Sequence, residues 1–237
     1  MTSPRRSLAA LSAPLLLALA VLAGCGSEET TTPSSADEGQ CSYPDSASPV
    51  ETRTVDKPPA DPPADEASQV TIATDRGDVK VSLDPDKAPC TVNSFLSLAD
   101  QGYFDDTPCH RLTTGGLNVL QCGDPSGTGQ GGPGYSFADE PVENDPRLQP
   151  CLGQVDQASG TEVCTYPAGT VAMANAGPDT NGSQFFLVYA DSPLPAAYTP
   201  FGRMSAAGVD VVEKVAAQGI AADGTAPKQS VTIESVK

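Results

Sequence analysis

The sequence predicts one mainly β domain, built as a closed antiparallel barrel with two α-helices capping its ends. Short stretches of alternating apolar and polar residues recur along the chain and are separated by glycines, which is typical of antiparallel strands and tight turns. Only two stretches have the spacing of amphipathic helices. The 237 residues include 22 glycines and 23 prolines, which favours a loop-rich β fold over a helical bundle. This length allows one sizeable domain with tails.

The first 24 residues have the features of an export signal. Arg5 and Arg6 precede the apolar run "LAALSAPLLLALAVLAG", as a basic region precedes the apolar region of a signal peptide. The run ends in "LAGC", which resembles the lipobox of bacterial lipoproteins, where the cysteine is lipidated. An uncleaved anchor helix is the alternative, because the run approaches the length of a membrane span. We expect an exported protein, lipid-anchored through Cys25 on the outer face of the bacterial cytoplasmic membrane.

Residues 25–68 are predicted to form a disordered, acidic tether. They are rich in Ser, Thr, Pro, Asp and Glu, and "DKPPADPPADEA" is expected to be extended. Cys41 is the exception, since a tether has no need of a cysteine. The whole chain has a formal net charge of −17, which makes nucleic acid an improbable partner. We expect a monomer.

Six cysteines besides Cys25 are predicted to form disulfides, because an even number outside the cytoplasm is typical of disulfide-bonded proteins. Cys151 and Cys164 flank twelve polar, loop-like residues and are predicted to pair with each other. The pairing of the other four stays open; they are Cys41, Cys90, Cys109 and Cys122. With one histidine and no CxxC motif, a zinc site is disfavoured, and no metal is expected.

The predicted domain, residues 69–237, begins with a hairpin followed by a helix. Apolar residues alternate on both sides of a turn at Arg76 and Gly77 in "QVTIATDRGDVKVSLD". In "APCTVNSFLSLADQG" the apolar residues have helical spacing, with Pro89 suited to the first turn and Gly102 to the end. This helix is expected to pack on the sheet.

Several short strands follow, and then a second helix and a closing strand. The strand stretches are "CHRLTT", "LNVLQCGD", "TVAMANA" and "SQFFLVYA". The stretch "GVDVVEKVAAQG" predicts a helix from Val209 to about Ala217, and "QSVTIESV" predicts the last strand. Residues of about 141–167, which lie between the second and third of these strand stretches, are expected to form an inserted loop that contains two of the cysteines.

Four stretches resemble, in order, the signatures of the cyclophilin-type peptidyl-prolyl isomerases. They are "CHRLTT", "VLQCGDPSGTGQGGPGYSFADE", "AMANAGPDTNGSQFF" and "TPFGRM", and the resemblance extends over residues 70–236. It implies an eight-stranded antiparallel barrel capped by two helices. It also implies cis/trans isomerisation of X-Pro bonds (EC 5.2.1.8) in proline-containing polypeptides, without a cofactor. The alternative is a cyclophilin-like module that binds proline segments or acts as a chaperone with little turnover.

This reaction needs no nucleophile. Rotation about a prolyl bond breaks amide resonance, with a barrier of about 18–20 kcal/mol, and the two isomers differ by only about 0.5–1 kcal/mol. A donor aimed at the prolyl nitrogen favours the pyramidal nitrogen of the twisted state, which is differential binding of the transition state.

The resemblance assigns the donor role to Arg111, whose guanidinium is always charged and geometrically fixed. Gln121 is implied to be the second catalytic residue, which orients the arginine. Ala174 and Asn175 are implied to offer backbone groups to the substrate, and Phe186 to form the floor of the proline pocket. The full set implied to bind substrate is His110, Val119, Ala174, Asn175, Ala176, Gln184, Phe186, Leu194 and Tyr198. Of these, His110 is expected to orient its neighbours rather than to transfer a proton.

The chain departs from the family pattern around this pocket. Cys109 replaces the phenylalanine that usually precedes the histidine, and Asn118 stands where an aromatic wall is expected. Pro193 and Tyr198 replace the usual tryptophan and histidine. The sequence therefore predicts a less aromatic pocket than is usual.

Overall fold

The computed structural model describes residues 40–50, 52–63, 67–140, 145, 147–148 and 151–237. The predicted signal, Cys25 and the first part of the predicted tether lie outside the described residues. The strands are β1 Gln69–Thr74, β2 Gly77–Leu83, β3 Thr107–Pro108, β4 Arg111–Leu112, β5 Val119–Cys122, β6 Val163–Tyr166, β7 Thr170–Met173, β8 Phe185–Val188, β9 Ser192–Pro195, β10 Pro200–Met204 and β11 Thr232–Val236. The helices are α1 Pro89–Asp100 and α2 Ala206–Ala216.

Nine strands form one antiparallel sheet in the order β3-β11-β1-β2-β10-β7-β8-β5-β4, and β6 pairs with β9 in a separate two-stranded sheet. The mainly β architecture with two helices is therefore confirmed. The closed eight-stranded barrel is not confirmed, because the large sheet curls into a half-barrel with β3 and β4 at its edges. These edges are successive parts of one stretch, residues 107–112. Within this stretch, β3 pairs with β11 and β4 pairs with β5. Because β3 and β4 do not pair with each other, the hydrogen-bonded sheet stays open between them.

The hairpin and both helices lie where the sequence predicts them. Gly77 closes the β1–β2 turn with a φ of 129°, a value that side chains rarely allow. Helix α1 begins with Pro89 in its first turn. Helix α2 begins at Ala206, earlier than predicted, because the Ser205 hydroxyl accepts a hydrogen bond from the Gly208 N–H and caps the helix.

Strand β8 is buried on both faces, and this divides the apolar interior into two clusters. Phe185 and Leu187 belong to the main core with both helices, whereas Phe186 and Val188 belong to a second cluster on the other face of the sheet. Because successive side chains of a strand point to opposite faces, the adjacent phenylalanines serve different clusters. We call the second one the pocket cluster, and its buried members are Val119, Leu148, Cys164, Tyr166, Ala172, Phe186, Val188 and Leu194.

The prediction of a disordered tether over residues 25–68 is wrong for residues 40–50 and 52–63, which we call the N-terminal arm. Cys41 is bonded to Cys90 at the start of α1, and both Cys41 and Tyr43 are buried in the main core. The arm also forms backbone hydrogen bonds with the domain, from Ser46 N–H to Gly134 and from Ser136 N–H to Pro44. The polar, proline-rich composition favours disorder, but a disulfide and main-chain hydrogen bonds hold this segment on the domain.

Two further disulfides lie within the domain. Cys151 is bonded to Cys164, which is the predicted pairing, and Cys109 is bonded to Cys122. Neither helix of the described residues is long and apolar enough to cross a membrane.

Candidate active site

Three residues singled out by the sequence lie in one row across adjacent strands. Arg111 of β4 is opposite Gln121 of β5, and Gln121 is opposite Phe186 of β8. Ala172 of β7 extends this row beyond Phe186. Residues directly opposite each other share a face of the sheet, so the guanidinium, the amide and the ring lie on the same face as the pocket cluster.

A chain of hydrogen bonds fixes the polar end of this row. Arg111 Nη1 donates to Gln121 Oε1 at 3.2 Å, and Gln121 Nε2 donates to Gln184 Oε1 at 2.9 Å. Gln184 Nε2 in turn donates to the carbonyl groups of Gly129 and Gly131, at 3.0 and 2.9 Å. The guanidinium has no other hydrogen bond to the described residues, so its remaining N–H groups are free to donate to a ligand.

The glycine-rich loop that ends this chain is organised by Asp124, a buried carboxylate. Its oxygens accept hydrogen bonds from the N–H groups of Ser126, Gly129 and Gly131, at 2.8, 2.7 and 3.1 Å. Burial acts to raise the pKa of Asp124, but these hydrogen bonds and that of the Ser126 hydroxyl outweigh it and hold the pKa below its usual value. The loop is therefore held by an ionised side chain that accepts hydrogen bonds from three of its main-chain N–H groups.

The apolar pocket cluster lies on the same face of the sheet as the guanidinium. Phe186, Val119 and Leu194 belong to this cluster, and the rings of Phe186 and Tyr198 meet edge to face with centroids 5.6 Å apart. Leu194 lies on β9 opposite Cys164 of β6, so the two-stranded sheet forms one side of the cluster. All four residues belong to the set that the resemblance implies to bind substrate.

Two leucines of the pocket cluster were missed by sequence reasoning. Leu117, and not Asn118, packs against it, while the Asn118 amide donates to the carbonyl group of Asp191 at 3.3 Å. Leu148, in the inserted segment, is buried in the same cluster. No periodicity marks either leucine in the sequence.

The turn after β7 presents main-chain groups beside the pocket. Ala174 N–H donates to the carbonyl group of Gln184 at 2.9 Å, and the Asn175 amide donates to the carbonyl group of Ala197 at 2.7 Å. Ala176 N–H is bonded to the Thr180 hydroxyl. The backbone N–H and carbonyl groups of Asn175 have no partner among the described residues, so they are available to an extended peptide.

His110 is half-buried next to Arg111, and neither of its two buried ring nitrogens has a hydrogen-bond partner in the described part of the chain. Burial lowers the pKa of His110 below its usual value, which outweighs the opposite effect of the Asp124 carboxylate. The role expected of His110, which is to orient its neighbours without transferring a proton, stays a prediction.

A cavity of about 1240 Å³ lies beside the site and extends from Ala176 and Tyr198 to the inserted segment. Five carboxylates line it, and they are Asp139, Glu140, Asp145, Asp156 and Glu162. No group of three or more His, Cys, Asp or Glu side chains in the described ranges could hold a metal ion.

Comparison with known proteins places this geometry in a family. Residues 69–237 match the family model for cyclophilin type peptidyl-prolyl cis-trans isomerases. The chain is 49% identical over 210 residues to a probable peptidyl-prolyl cis-trans isomerase B of Mycobacterium leprae, covering 83% of this chain and 66% of that protein. It is 39% identical over 183 residues to peptidyl-prolyl cis-trans isomerase B of Streptomyces anulatus, covering 70% and 93%.

A solved structure agrees with the sequence comparisons. The crystal structure of a Cryptosporidium parvum cyclophilin type isomerase has a TM-score of 0.56 and 29% identity, and covers 71% of this chain and 95% of that chain. The chain thus spans 66% of the mycobacterial relative's length but nearly all of the Streptomyces and Cryptosporidium proteins. The chain belongs to the cyclophilin-type peptidyl-prolyl cis-trans isomerase family.

Proposed function

We propose that this protein catalyses the cis/trans isomerisation of X-Pro bonds in polypeptides. The observation that carries the proposal is the cross-strand row, which places the Arg111 guanidinium on the same face of the sheet as the apolar pocket cluster around Phe186. These two features together can hold a proline ring and donate a hydrogen bond to its nitrogen.

Different residues bind the substrate and lower the barrier to rotation. The apolar pocket holds the proline ring, and the free main-chain groups of Asn175 hold the peptide chain. As the bond twists, amide resonance is lost and the prolyl nitrogen becomes pyramidal and able to accept a hydrogen bond from Arg111. This bond is made only near the transition state and so lowers the barrier instead of merely tightening binding. Gln121 keeps the guanidinium in place through its 3.2 Å hydrogen bond.

Replacing Arg111 tests the mechanism. In Arg111→Ala we expect kcat/KM to fall by about a hundredfold or more, the size of effect seen when a donor to a developing charge is removed. Arg111→Lys keeps the charge but loses the planar fork, and should retain intermediate activity. The measurement is a protease-coupled assay with a proline peptide, with circular dichroism as the folding control. Parent activity in Arg111→Ala would contradict the mechanism, and a parent that binds proline peptides without turnover would favour the binding-module alternative.

We further propose that the protein is an exported, monomeric lipoprotein anchored through Cys25, and that its clients are proline-containing polypeptides outside the cytoplasm. The "LAGC" stretch supports the anchor, and the three disulfides of the described residues support an oxidising compartment. A second Cryptosporidium parvum structure was determined in the presence of the dipeptide Ala-Pro, which supports the proposed clients.

Membrane fractionation tests the anchor. The parent protein should stay with the membranes during an alkaline wash, and Cys25→Ala should be released, because its lipid chains would be missing. One acyl chain binds a membrane only marginally, so stable attachment is expected to need more than one. An intact Cys25→Ala protein that resists the wash as the parent does would favour an anchor helix instead.

A further inference from the structure

We infer that the N-terminal arm, which lies outside the residues matched by the family model, positions the catalytic arginine, and that Thr52 is its positioning residue. The inference rests on the proposed isomerase function. It follows from two contact paths that begin at Thr52 and end at Gln184, the residue that anchors the hydrogen-bond chain to Arg111.

The first path runs through the glycine-rich loop. The Thr52 hydroxyl donates to the carbonyl group of Gly132 at 2.5 Å. The Thr52 methyl group faces Gly131 so closely that a Cβ atom at Gly131 would lie 2.6 Å from it, and 2.1 Å from Asp124 Oδ1 on the other side. Gly131 is therefore clamped between Thr52 and Asp124, and its carbonyl group is one of the two acceptors of the Gln184 amide.

The second path is a row of hydroxyl groups. Tyr103 Oη lies 3.4 Å from Thr52 Oγ1 and 3.3 Å from Ser183 Oγ. Tyr103 and Ser183 are both buried, and Ser183 directly precedes Gln184 in the chain. Through Tyr103 the arm is thus linked to the Ser183 side chain, and through Gly131 it is linked to one of the two acceptors of the Gln184 amide.

Thr52 can act as a support because the arm is itself fixed. The Cys41–Cys90 disulfide holds the start of the arm on α1. Next to Thr52, Arg53 Nη1 donates to the carbonyl groups of Gly102 and Tyr103 at 2.7 and 3.2 Å. Without Thr52, Gly131 would be held only from the Asp124 side, and glycine-rich backbone has more conformational freedom to lose than any other.

Loosening the loop should lower turnover more strongly than it weakens substrate binding, because the loop anchors the Gln184 end of the chain to Arg111. If the two carbonyl acceptors move, the Gln184 amide is no longer fixed, and Gln121 and Arg111 lose their aligned partners in turn. The proline pocket does not involve this chain of bonds. A donor needed only in the transition state affects kcat, whereas KM reports contacts made before it.

The experiment compares three substitutions on the arm. Thr52→Val keeps the shape and removes the hydroxyl group, Thr52→Ser keeps the hydroxyl group, and Thr54→Val makes the matched change at an exposed position two residues away. We expect Thr52→Val to lower kcat by about fivefold, the effect of one lost hydrogen bond, with a smaller change in KM. Thr52→Ser loses only the methyl contact with Gly131 and should keep more activity than Thr52→Val, and Thr54→Val should turn over like the parent.

Two readouts keep the inference separate from the proposed function. Isomerase kinetics test both, whereas the side-chain amide NMR signals of Gln121 and Gln184 report the ordering of the network even if the parent shows no turnover. These signals should shift or broaden in Thr52→Val and stay unchanged in Thr54→Val. Unchanged signals in Thr52→Val, or an equal loss of kcat in Thr52→Ser, would overturn the inference. Circular dichroism checks folding, and Thr52→Ala is the substitute if the valine variant is unfolded.

Discussion

At the scale of single residues, His110 illustrates how burial alone can set a protonation state. Its ring lies against the glycine-rich loop, so that a Cβ atom at Gly129 would be 3.3 Å from His110 Cδ2. The neighbouring Arg111 charge acts in the same direction as burial and further lowers the pKa of His110. The imidazole is therefore neutral at physiological pH and adds no charge of its own beside the guanidinium.

This half-buried histidine should make stability depend on pH. The unfolded chain binds a proton at His110 with a pKa of about 6.5, and the folded pKa is lower. Below about pH 6.5 the unfolded state therefore binds more protons, and the free energy of unfolding falls as the pH decreases. Urea unfolding at several pH values between about 7.5 and 5.5 should show this fall in the parent and a smaller one in His110→Leu.

The pH window isolates one group, because the chain has a single histidine. Asp124, whose folded pKa lies below its usual value, loses its contribution only in more acidic solution. An equal fall of stability in the parent and in His110→Leu would contradict the assignment.

At the scale of elements, the described part of the inserted segment contains a strand. The predicted loop of about 141–167 contains β6, which pairs with β9 and thereby supports Leu194 in the pocket. The Cys151–Cys164 disulfide ties the segment to β6, and Arg147 forms an ion pair with Asp84 at 3.2 Å as well as one with Asp145. The insertion therefore helps to shape the site from the side of the two-stranded sheet.

The loss of stability on removing a disulfide should be larger for the disulfide that closes the longer stretch of chain. The sequence separations are 13 for Cys151–Cys164 and 49 for Cys41–Cys90. In the chain-entropy model these correspond to about 3 and about 4 kcal/mol of stabilisation. Urea unfolding of the two double alanine variants should show the larger loss for the Cys41–Cys90 pair. The reverse order would show that contacts in the folded state outweigh the entropy of the unfolded chain.

At the scale of the whole molecule, periodicity predicted the local elements but not their assembly. The hairpin, α1, α2 and the last strand follow from spacing and from Pro89 and Gly77. The order of the strands depends on contacts distant in sequence, such as β3 with β11, for which no local pattern exists. Alternation in β8 cannot tell which of Phe185 and Phe186 faces the pocket, because both faces are buried. The family resemblance supplied that choice.

The same limit explains what was missed around the site. The arm has the composition of a disordered tether, and only Cys41 indicated otherwise. Its disulfide partner, Cys90, is 49 residues away in the sequence, so no local pattern could identify the pair. Leu117 and Leu148 reach the pocket cluster because loops bring them there, and loop paths are not periodic. Arg111, Gln121 and Phe186 could be singled out from the sequence, since they lie within stretches that resemble the family signatures.

The bond between Cys41 and Cys90 has a practical consequence for anyone preparing this protein. A recombinant form that starts at Gln69, where the family match begins, would leave Cys90 as an odd thiol on α1. It would also remove both acceptors of the buried Asn93 amide, the Tyr43 hydroxyl and the carbonyl group of Pro59. An unpaired thiol in an oxidising medium favours covalent dimers, which gel filtration would misreport as a native assembly. The natural place to begin a soluble version is before Cys41.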